Sequence, residues 1–502
     1  MKKIIILFLG CAILTGCVDL EQKPFSTLTP ETIVYDESNI RAYANGLYKE
    51  LWFNNYGFNC RPQILGLGAD DIVTGTLTKR GTFIDELTAS SNQHDGDFQL
   101  LWQNLYSVIR LANTMIEAIP NSNDVPREVQ NSYVGEAYFM RAFSYFHLTR
   151  YFGRVPLFKD PNCIQDIYGN TGNGVVQASI EDVYLKMIVP DLKEAEQLLK
   201  DRSRTEDNST ASKMAAKACL IDVYLTMAGW PLKKTEYYAQ ARDLALEFIN
   251  SNPNGHDLLP HYADLWKEET KSSDKEHIFA LNHSTTYSMA SNYGRSYYAI
   301  EESATAWSDY LADSCFFERH PADERKSFNF VDRFPIAGTP RTVDFRKTSM
   351  RSPSIAKYRD YGTAGSAQSN GLTPFYRYAD ILLMYAEAQN MADGGPNTLA
   401  YDCLNKIRER AVGGDTYEKA ENMNQETFAQ AVFDERGWEF FAEFKRWFHL
   451  VRTEKVYEAN QYNPRVKSSM DRYGVTPDNR KIYLMPLPVR EVEMCGFEQN
   501  ER

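Results

Sequence analysis

The sequence has no long hydrophobic run after residue 14, no Cys-x-x-Cys pair and no cluster of lysine and arginine. Each absence removes a class of protein. A spanning helix needs about 20 apolar residues in a row, so nothing in the body of the chain qualifies. Zinc ribbons and dithiol redox sites need closely paired cysteines. Here Cys60, Cys163, Cys219, Cys315, Cys403 and Cys495 stand far apart, and the sequence alone cannot pair them. Nucleic acid and anionic membranes attract basic patches. This chain carries 55 Lys and Arg against 67 Asp and Glu, a net charge of −12. Also missing are a Gly-x-Ser-x-Gly elbow, a His-Glu-x-x-His helix and a phosphate loop. His261, His277 and His283 are too widely spread for a local metal site. No catalytic residue, cofactor, metal or nucleic-acid partner is expected.

What is present begins at the N-terminus. Lys2 and Lys3 precede an apolar run from Ile4 to Leu14, and Leu14-Thr15-Gly16-Cys17 follows. That layout is a secretory signal, and the cysteine at its end resembles a bacterial lipobox. Residues 1–16 are predicted to be a lipoprotein signal peptide. Cys17 is the predicted lipidation site, and residues 17–30, polar with two prolines, form a tether. Asp19 and Glu21 resemble the export tag of surface lipoproteins in Bacteroidetes-type bacteria. Acyl chains on Cys17 are then the expected membrane anchor.

The body, 31–502, reads as mostly α. Phe98, Leu101, Trp102, Leu105, Ile109, Ala112, Met115, Ile116 and Ile119 keep three-four spacing, which predicts a helix over 98–119 ending at Pro120. A second spans 128–151 and closes at Gly153. A third spans 179–199, with Ser179 as N-cap and a kink at Pro190. Two helix pairs follow, 211–228 with 236–249 and 376–391 with 398–411. Their alanines sit beside Tyr and Leu, so both pairs resemble tetratricopeptide (TPR) units, of which roughly four are expected. Cys219 and Cys403 fall inside these patterns as small core residues. One long amphipathic helix is predicted over 425–451. Between the pairs, 252–375 is rich in Gly, Pro, Ser, Asn and Tyr. It holds a predicted strand at 277–283 and weak helical periodicity at 304–317. The fold class is therefore a TPR-like helical-pair scaffold (about 31–251 and 376–502) with an irregular loop-rich insert (about 252–375) carrying a few short strands. Binding sites are commonly carried on such loops.

Several segments, in order, carry a resemblance. They are Arg141-Ala142-Phe143-Ser144-Tyr145-Phe146-His147-Leu148 running into Tyr151-Phe152-Gly153-Arg154, then Arg377-Tyr378-Ala379-Asp380 through Glu387-Ala388, then Leu404-Asn405-Lys406-Ile407-Arg408-Glu409-Arg410. Glu435-Arg436-Gly437-Trp438-Glu439-Phe440, Lys445-Arg446-Trp447-Phe448 and Pro486-Leu487-Pro488 complete the set. With the lipobox they resemble the SusD/RagB family of outer-membrane nutrient-binding lipoproteins. His449 stands where the family usually has Asp, and the end of the chain departs from the usual Asn-Pro-Gly-Tyr-like tail. The resemblance implies a non-catalytic lid at the cell outer membrane, facing outside. The lid holds an oligosaccharide over a SusC-like TonB-dependent barrel. Peptide capture in the RagB manner is the alternative. A glycoside hydrolase and a protein-binding TPR scaffold are further from the pattern.

The motif charges Arg141, Arg377, Asp380, Glu387, Arg408, Glu435, Arg436 and Glu439 stand at helical spacing among apolar residues. They read as paired structural charges rather than ligand contacts, and Arg446, Trp447 and Phe448 as scaffold. Sugars require flat apolar faces with hydroxyl-binding groups nearby. Two loop regions supply both. One is 70–97, with Asp70, Asp71, Lys79, Arg80, Phe83, Asn92, Gln93 and His94. The other holds Tyr287, Asn292, Tyr293, Arg295, Tyr297, Tyr298 and Trp307, the last also readable as the anchor of its own helix. The ligand-binding candidates are Arg80, Phe83, Asn92, His94, Tyr287, Asn292, Tyr293, Arg295, Tyr297, Tyr298 and Trp307. Adjacent carboxylates such as Asp70-Asp71 and Glu301-Glu302 point apart on a chain and do not make a hydrolase pair. Asp70-Asp71 reads as a cap or turn.

Overall fold

The computed structural model describes residues 36–51, 68–74, 91–122, 125–159, 175–284, 286, 296–302, 306–336, 338–359, 370–414, 416–472 and 474–500. The signal peptide, Cys17 and the tether lie outside the described residues.

Helix α1 (Glu37–Lys49) starts at Asp36, whose carboxylate accepts the Asn39 amide at 2.8 Å. Helices α2 (Ser91–Ala118) and α3 (Arg127–Phe152) follow and pack against each other. The apolar stripe from Phe98 to Ile119 is buried in this contact. Each such side chain contributes about 1.5–3 kcal/mol over leaving it in water. Helix α3 stops at Gly153, where φ is +73° and a Cβ would meet Leu484 Cδ1 at 2.7 Å. Only glycine fits both conditions.

The helix expected over 179–199 is three pieces: α4 (Ile180–Val183), a π turn (Tyr184–Ile188) and α5 (Val189–Leu198). Ser179 caps it as expected, accepting the Asp182 amide at 3.0 Å. Pro190 has no N–H to bond four residues back. The chain absorbs the missing bond in the π turn just upstream. Helices α6 (Lys213–Ala228) and α7 (Tyr237–Ser251) form the next pair. Ala215, Ala218, Ala241 and Ala245 are fully buried there, which lets the backbones approach closely. Helix α7 then packs on α10 (Tyr378–Ala392), and α10 on α11 (Thr398–Val412) and α12 (Gln425–Glu439). Among the described residues the scaffold is three pairs against the roughly four expected, with α5 packed between the first two.

Two expected helices are shorter. Residues 372–377 form a strand, so the helix expected from 376 begins at Tyr378; the Asp380 carboxylate accepts the Arg377 amide at 2.8 Å and sets the start. The single helix expected over 425–451 breaks after Glu439 and resumes as α13 (Arg446–Arg452). Ala442 and Phe444 take positive φ of 58° and 64° in the break. The amphipathic pattern runs through this bend, but the charges do not. Glu443, Lys445 and Arg446 turn away to meet partners elsewhere in the chain.

Short antiparallel ladders link strands of the stretch between α7 and α10 to one another and, through β1, to the chain ahead of α2. Strand β1 (Ile72–Thr74) pairs with β3 (Tyr310–Ala312), and β2 (His277–Asn282) with β8 (Leu372–Arg377). Strand β4 (Phe330–Val331) pairs with β7 (Ser354–Ile355), and β5 (Arg333–Pro335) with β6 (Thr342–Asp344). The strand expected at 277–283 is β2. The helical reading of 304–317 is corrected: its described part is the extended approach to β3, the strand itself, and then α8 (Ser314–Arg319), capped by Asp313. Helix α9 (Glu324–Asn329) follows. Cys219, Cys315, Cys403 and Cys495 are free thiols, Cys219 and Cys403 buried as expected. Among the described residues no helix is long and apolar enough to cross a membrane.

Candidate ligand-binding site

The site rests on a buried ion-pair clamp between scaffold and insert. Arg377, at the β8–α10 junction, is wholly buried. Its guanidinium donates to Glu276 at 2.5 Å, Glu439 at 2.9 Å and Glu443 at 2.7 Å. Arg410 joins Glu276 and Glu439 at 3.1 and 2.6 Å. Arg325 on α9 reaches Asp323, Glu435 and Glu439. Lys357, just past β7, donates to Glu443 at 2.7 Å and to the Phe441 carbonyl at 2.6 Å. Burial alone would raise the Glu439 and Glu443 carboxyls. The surrounding guanidiniums of Arg410, Arg377 and Arg325 outweigh it for Glu439, and Arg377 with Lys357 does so for Glu443. Both carboxyls are held below the ordinary carboxylate range.

A second seam lies at β1. Asp70 and Asp71 were expected to cap or turn the chain; they lie on a bend, and their side chains turn inward. Both are buried. Arg446 grips Asp70 at 2.6 and 3.0 Å, and Arg319 adds a contact at 3.3 Å. Gly437 makes room, since a Cβ there would meet Arg446 Nη1 at 3.1 Å. Burial and then the Asp70 charge push the Asp71 carboxyl up to about 7. Its Oδ2 accepts the Ala442 amide at 3.3 Å. Asp313 is pushed to about 6, first by burial.

The short ladders bring the two candidate loop regions together. Thr74, where the first leaves, lies opposite Tyr310, where the second returns. The Tyr297 carbonyl accepts the Ile355 amide at 3.3 Å, and the Gly371 carbonyl accepts the His283 amide at 2.9 Å. The described residues that flank 75–90, 287–295 and 360–369 therefore lie on or beside these ladders. Between the roots the turn 296–302 folds back on Ser308, whose amide and hydroxyl both donate to the Tyr298 carbonyl at 3.2 Å. The half-buried Tyr298 ring has Arg359 against it, 3.9 Å from guanidinium carbon to ring centroid. Glu302 fixes that guanidinium at 2.5 and 3.1 Å, and Ser354 adds a contact at 2.8 Å. Such a cation–aromatic pair presents a flat ring and polar N–H groups side by side.

The remaining candidates fall as follows. Cys17, Arg80, Phe83, Tyr287, Asn292, Tyr293 and Arg295 lie outside the described residues. Asn92 and His94 were taken as loop residues, but their backbone lies in the first turns of α2. Tyr297 is 1% exposed, packed between the Tyr310 and Tyr358 rings at 6.1 and 5.9 Å. That position corrects its reading as a ligand contact: in the turn 296–302 Tyr297 is buried while Tyr298 beside it is half-buried. Trp307 is half-buried on the extended approach to β3, not on a helix of its own. Arg359 and Glu302 were not among the candidates. The signal available was the Lys357-Tyr358-Arg359 triplet at the edge of a glycine-rich stretch. Among the described residues no group of His, Cys, Asp or Glu is arranged to hold a metal.

Comparisons with known proteins converge on one family. The model of the SusD family matches residues 193–496. A second model, described as starch-binding and associating with the outer membrane, matches residues 20–225. SusD-like protein P2 of Formosa agariphila is 27% identical over 98% of this chain and 97% of its own length. A SusD superfamily protein from Parabacteroides distasonis superposes with a TM-score of 0.79 at 24% identity, over 93% of this chain and 99% of its own. A laminarin-binding SusD-like protein superposes with a TM-score of 0.73 at 22% identity, over 93% and 99% respectively.

Proposed function

The chain belongs to the SusD family, and we propose that it is a non-catalytic surface lipoprotein that captures oligosaccharides and passes them to a SusC-like TonB-dependent outer-membrane barrel. Residues 1–16 are the signal peptide, Cys17 carries the lipid, and 17–30 tether a single body that faces outside. The insert at about 252–375 carries the ligand, together with the loop that follows β1.

The observation that carries this reading is the Thr74–Tyr310 pairing. It brings the described ends of the two candidate regions together, and Tyr298 nearby has the Arg359 guanidinium against its ring with Glu302 holding it. Tyr298 and Trp307 supply faces for sugar stacking. Arg80, Phe83, Asn92, His94, Tyr287, Asn292, Tyr293 and Arg295 are the further contacts proposed. The laminarin-binding neighbour supports a glycan. Two adjacent carboxylate pairs give no support to hydrolysis, because Asp70 is held by Arg446 and Glu302 by Arg359. Calorimetric titration against laminarin, xyloglucan, starch and pectin fragments, with oligopeptides in parallel, tests the reading. Binding to at least one glycan with no release of reducing ends is expected. Binding to peptides alone would sink it.

A further inference from the structure

Arg436 belongs to neither the Arg377 clamp nor the Tyr298–Arg359–Glu302 rim of the proposed site. It belongs to α12, is 7% exposed, and lines a cavity of about 60 Å³ between α3, α6, β8, α10 and α13. Its Nε and Nη1 are buried with no hydrogen-bond partner. A guanidinium does not shed its proton in a protein, so this is an uncompensated buried cation, one of the costliest arrangements a fold can hold. The carboxylates around it are committed elsewhere. Glu387 takes Arg452 at 2.5 and 2.7 Å. Asp380 accepts the Arg377 amide at 2.8 Å and Lys445 at 2.6 Å. Asp222 accepts the Tyr376 hydroxyl at 3.1 Å and lies 3.5 Å from Arg150. Glu443 is shared with Arg377 and Lys357.

The histidines of the cavity do not help. His147 uses Nδ1 to donate to the Phe143 carbonyl at 2.9 Å, which leaves Nε2 to accept from Arg150 at 2.9 Å. It is therefore the neutral tautomer. His449 is held well below its ordinary pKa by burial and then by Arg452 and Arg436, so it is neutral too. Of the four lining cations, Arg150 pairs with Asp222, Lys445 with Asp380 and Arg452 with Glu387, and Arg436 is left without an ion-paired carboxylate.

We propose that this cavity binds a small monovalent anion of the halide class, held by Nε and Nη1 of Arg436. One lining cation is thus left without a carboxylate, which matches a monovalent ion. A single water needs roughly 10–15 Å³ of such space, so the cavity takes a halide with a few waters but not a sugar ring. Water alone would satisfy the N–H groups and leave the charge.

Two measurements on the full chain test this. Crystals transferred to sodium bromide, with data collected at the bromine edge, are expected to show an anomalous peak within hydrogen-bonding reach of Arg436. Thermal unfolding at one ionic strength is expected to give a midpoint about 2 °C higher in chloride or bromide than in gluconate, and Arg436→Met loses that difference. The bromide peak establishes the site even where Arg436→Met does not fold. No peak at Arg436, only water density, with equal midpoints in all three salts, overturns it.

Discussion

The clamp beneath the insert and the rim above it use the same kind of contact to opposite ends. Arg377 and Arg359 both hold carboxylates bidentately or better. Arg377 is fully buried among three glutamates and touches five segments of the chain through its network. Arg359 is half-buried, has one carboxylate partner, and lies on a tyrosine ring. The first arrangement fixes where the insert sits. The second leaves a surface that can still be covered. Arg377, Arg410, Glu435 and Glu439, the buried charges of three motif segments, belong to the first. The proposed ligand contacts belong to the second, where no motif runs.

The sharpest way to break that contrast is at its buried end. Arg377→Met leaves Glu276, Glu439 and Glu443 short of a counter-charge in the core. Removing one partner of a buried pair costs about 3–5 kcal/mol, so a drop of that size in urea-unfolding stability is expected, or failure to fold. Acid should act on the same network. The folded-state pKa values of Glu439 and Glu443 are depressed, so the stability they contribute is present above the unfolded carboxylate range, about pH 4.3, and is lost as pH falls below it. The β1 seam should show the reverse sign. Asp71 is raised to about 7, so its contribution is fully present below pH 4 and is lost as pH rises through 7. Asp71→Asn keeps an acceptor for the Ala442 amide and removes the charge. Unfolding midpoints at pH 5 and pH 8 should lie closer together in that variant than in the parent. Asp313, raised to about 6, keeps part of the slope.

How much of this was legible in the sequence follows the same division. Helices α3, α6, α7 and α11 are set by local apolar spacing, and their limits fall within a few residues of the pattern; α2 begins at Ser91, well ahead of the apolar stripe that starts at Phe98. The break between α12 and α13 is not local. The pattern from Gln425 to Val451 reads as one amphipathic helix. The bend exists because Glu443 must reach Arg377 and Arg446 must reach Asp70, partners 66 and 376 residues away. The same holds at the rim. Tyr298 is a visible candidate by type, and Tyr297 beside it looks equally good. Only the β7 contact shows which of the two faces inward. Arg359 cannot be recognised without Glu302, 57 residues earlier.

The rim gives the smaller effects. Tyr298→Ala is expected to weaken glycan binding about tenfold, near 1.4 kcal/mol, while leaving the urea midpoint almost unchanged. A comparable loss of stability would move Tyr298 from the rim to the core and erase the contrast. Arg359→Gln is milder still. The Arg359–Glu302 pair is partly exposed, and such pairs contribute about 0.2–1 kcal/mol. What the substitution removes is chiefly order: the charge against the Tyr298 ring and the two bonds that hold it. The expected result is a two- to fourfold rise in Kd, with unchanged stoichiometry in calorimetry. The companion variant Glu302→Gln separates two causes. If Arg359 acts by holding the ring in place, Glu302→Gln weakens binding to a similar degree. If Arg359 instead touches the sugar, Glu302→Gln leaves the guanidinium available and Kd barely moves. Either way the effect should stay several-fold below that of Tyr298→Ala, because the ring supplies the contact area and the ion pair only its orientation.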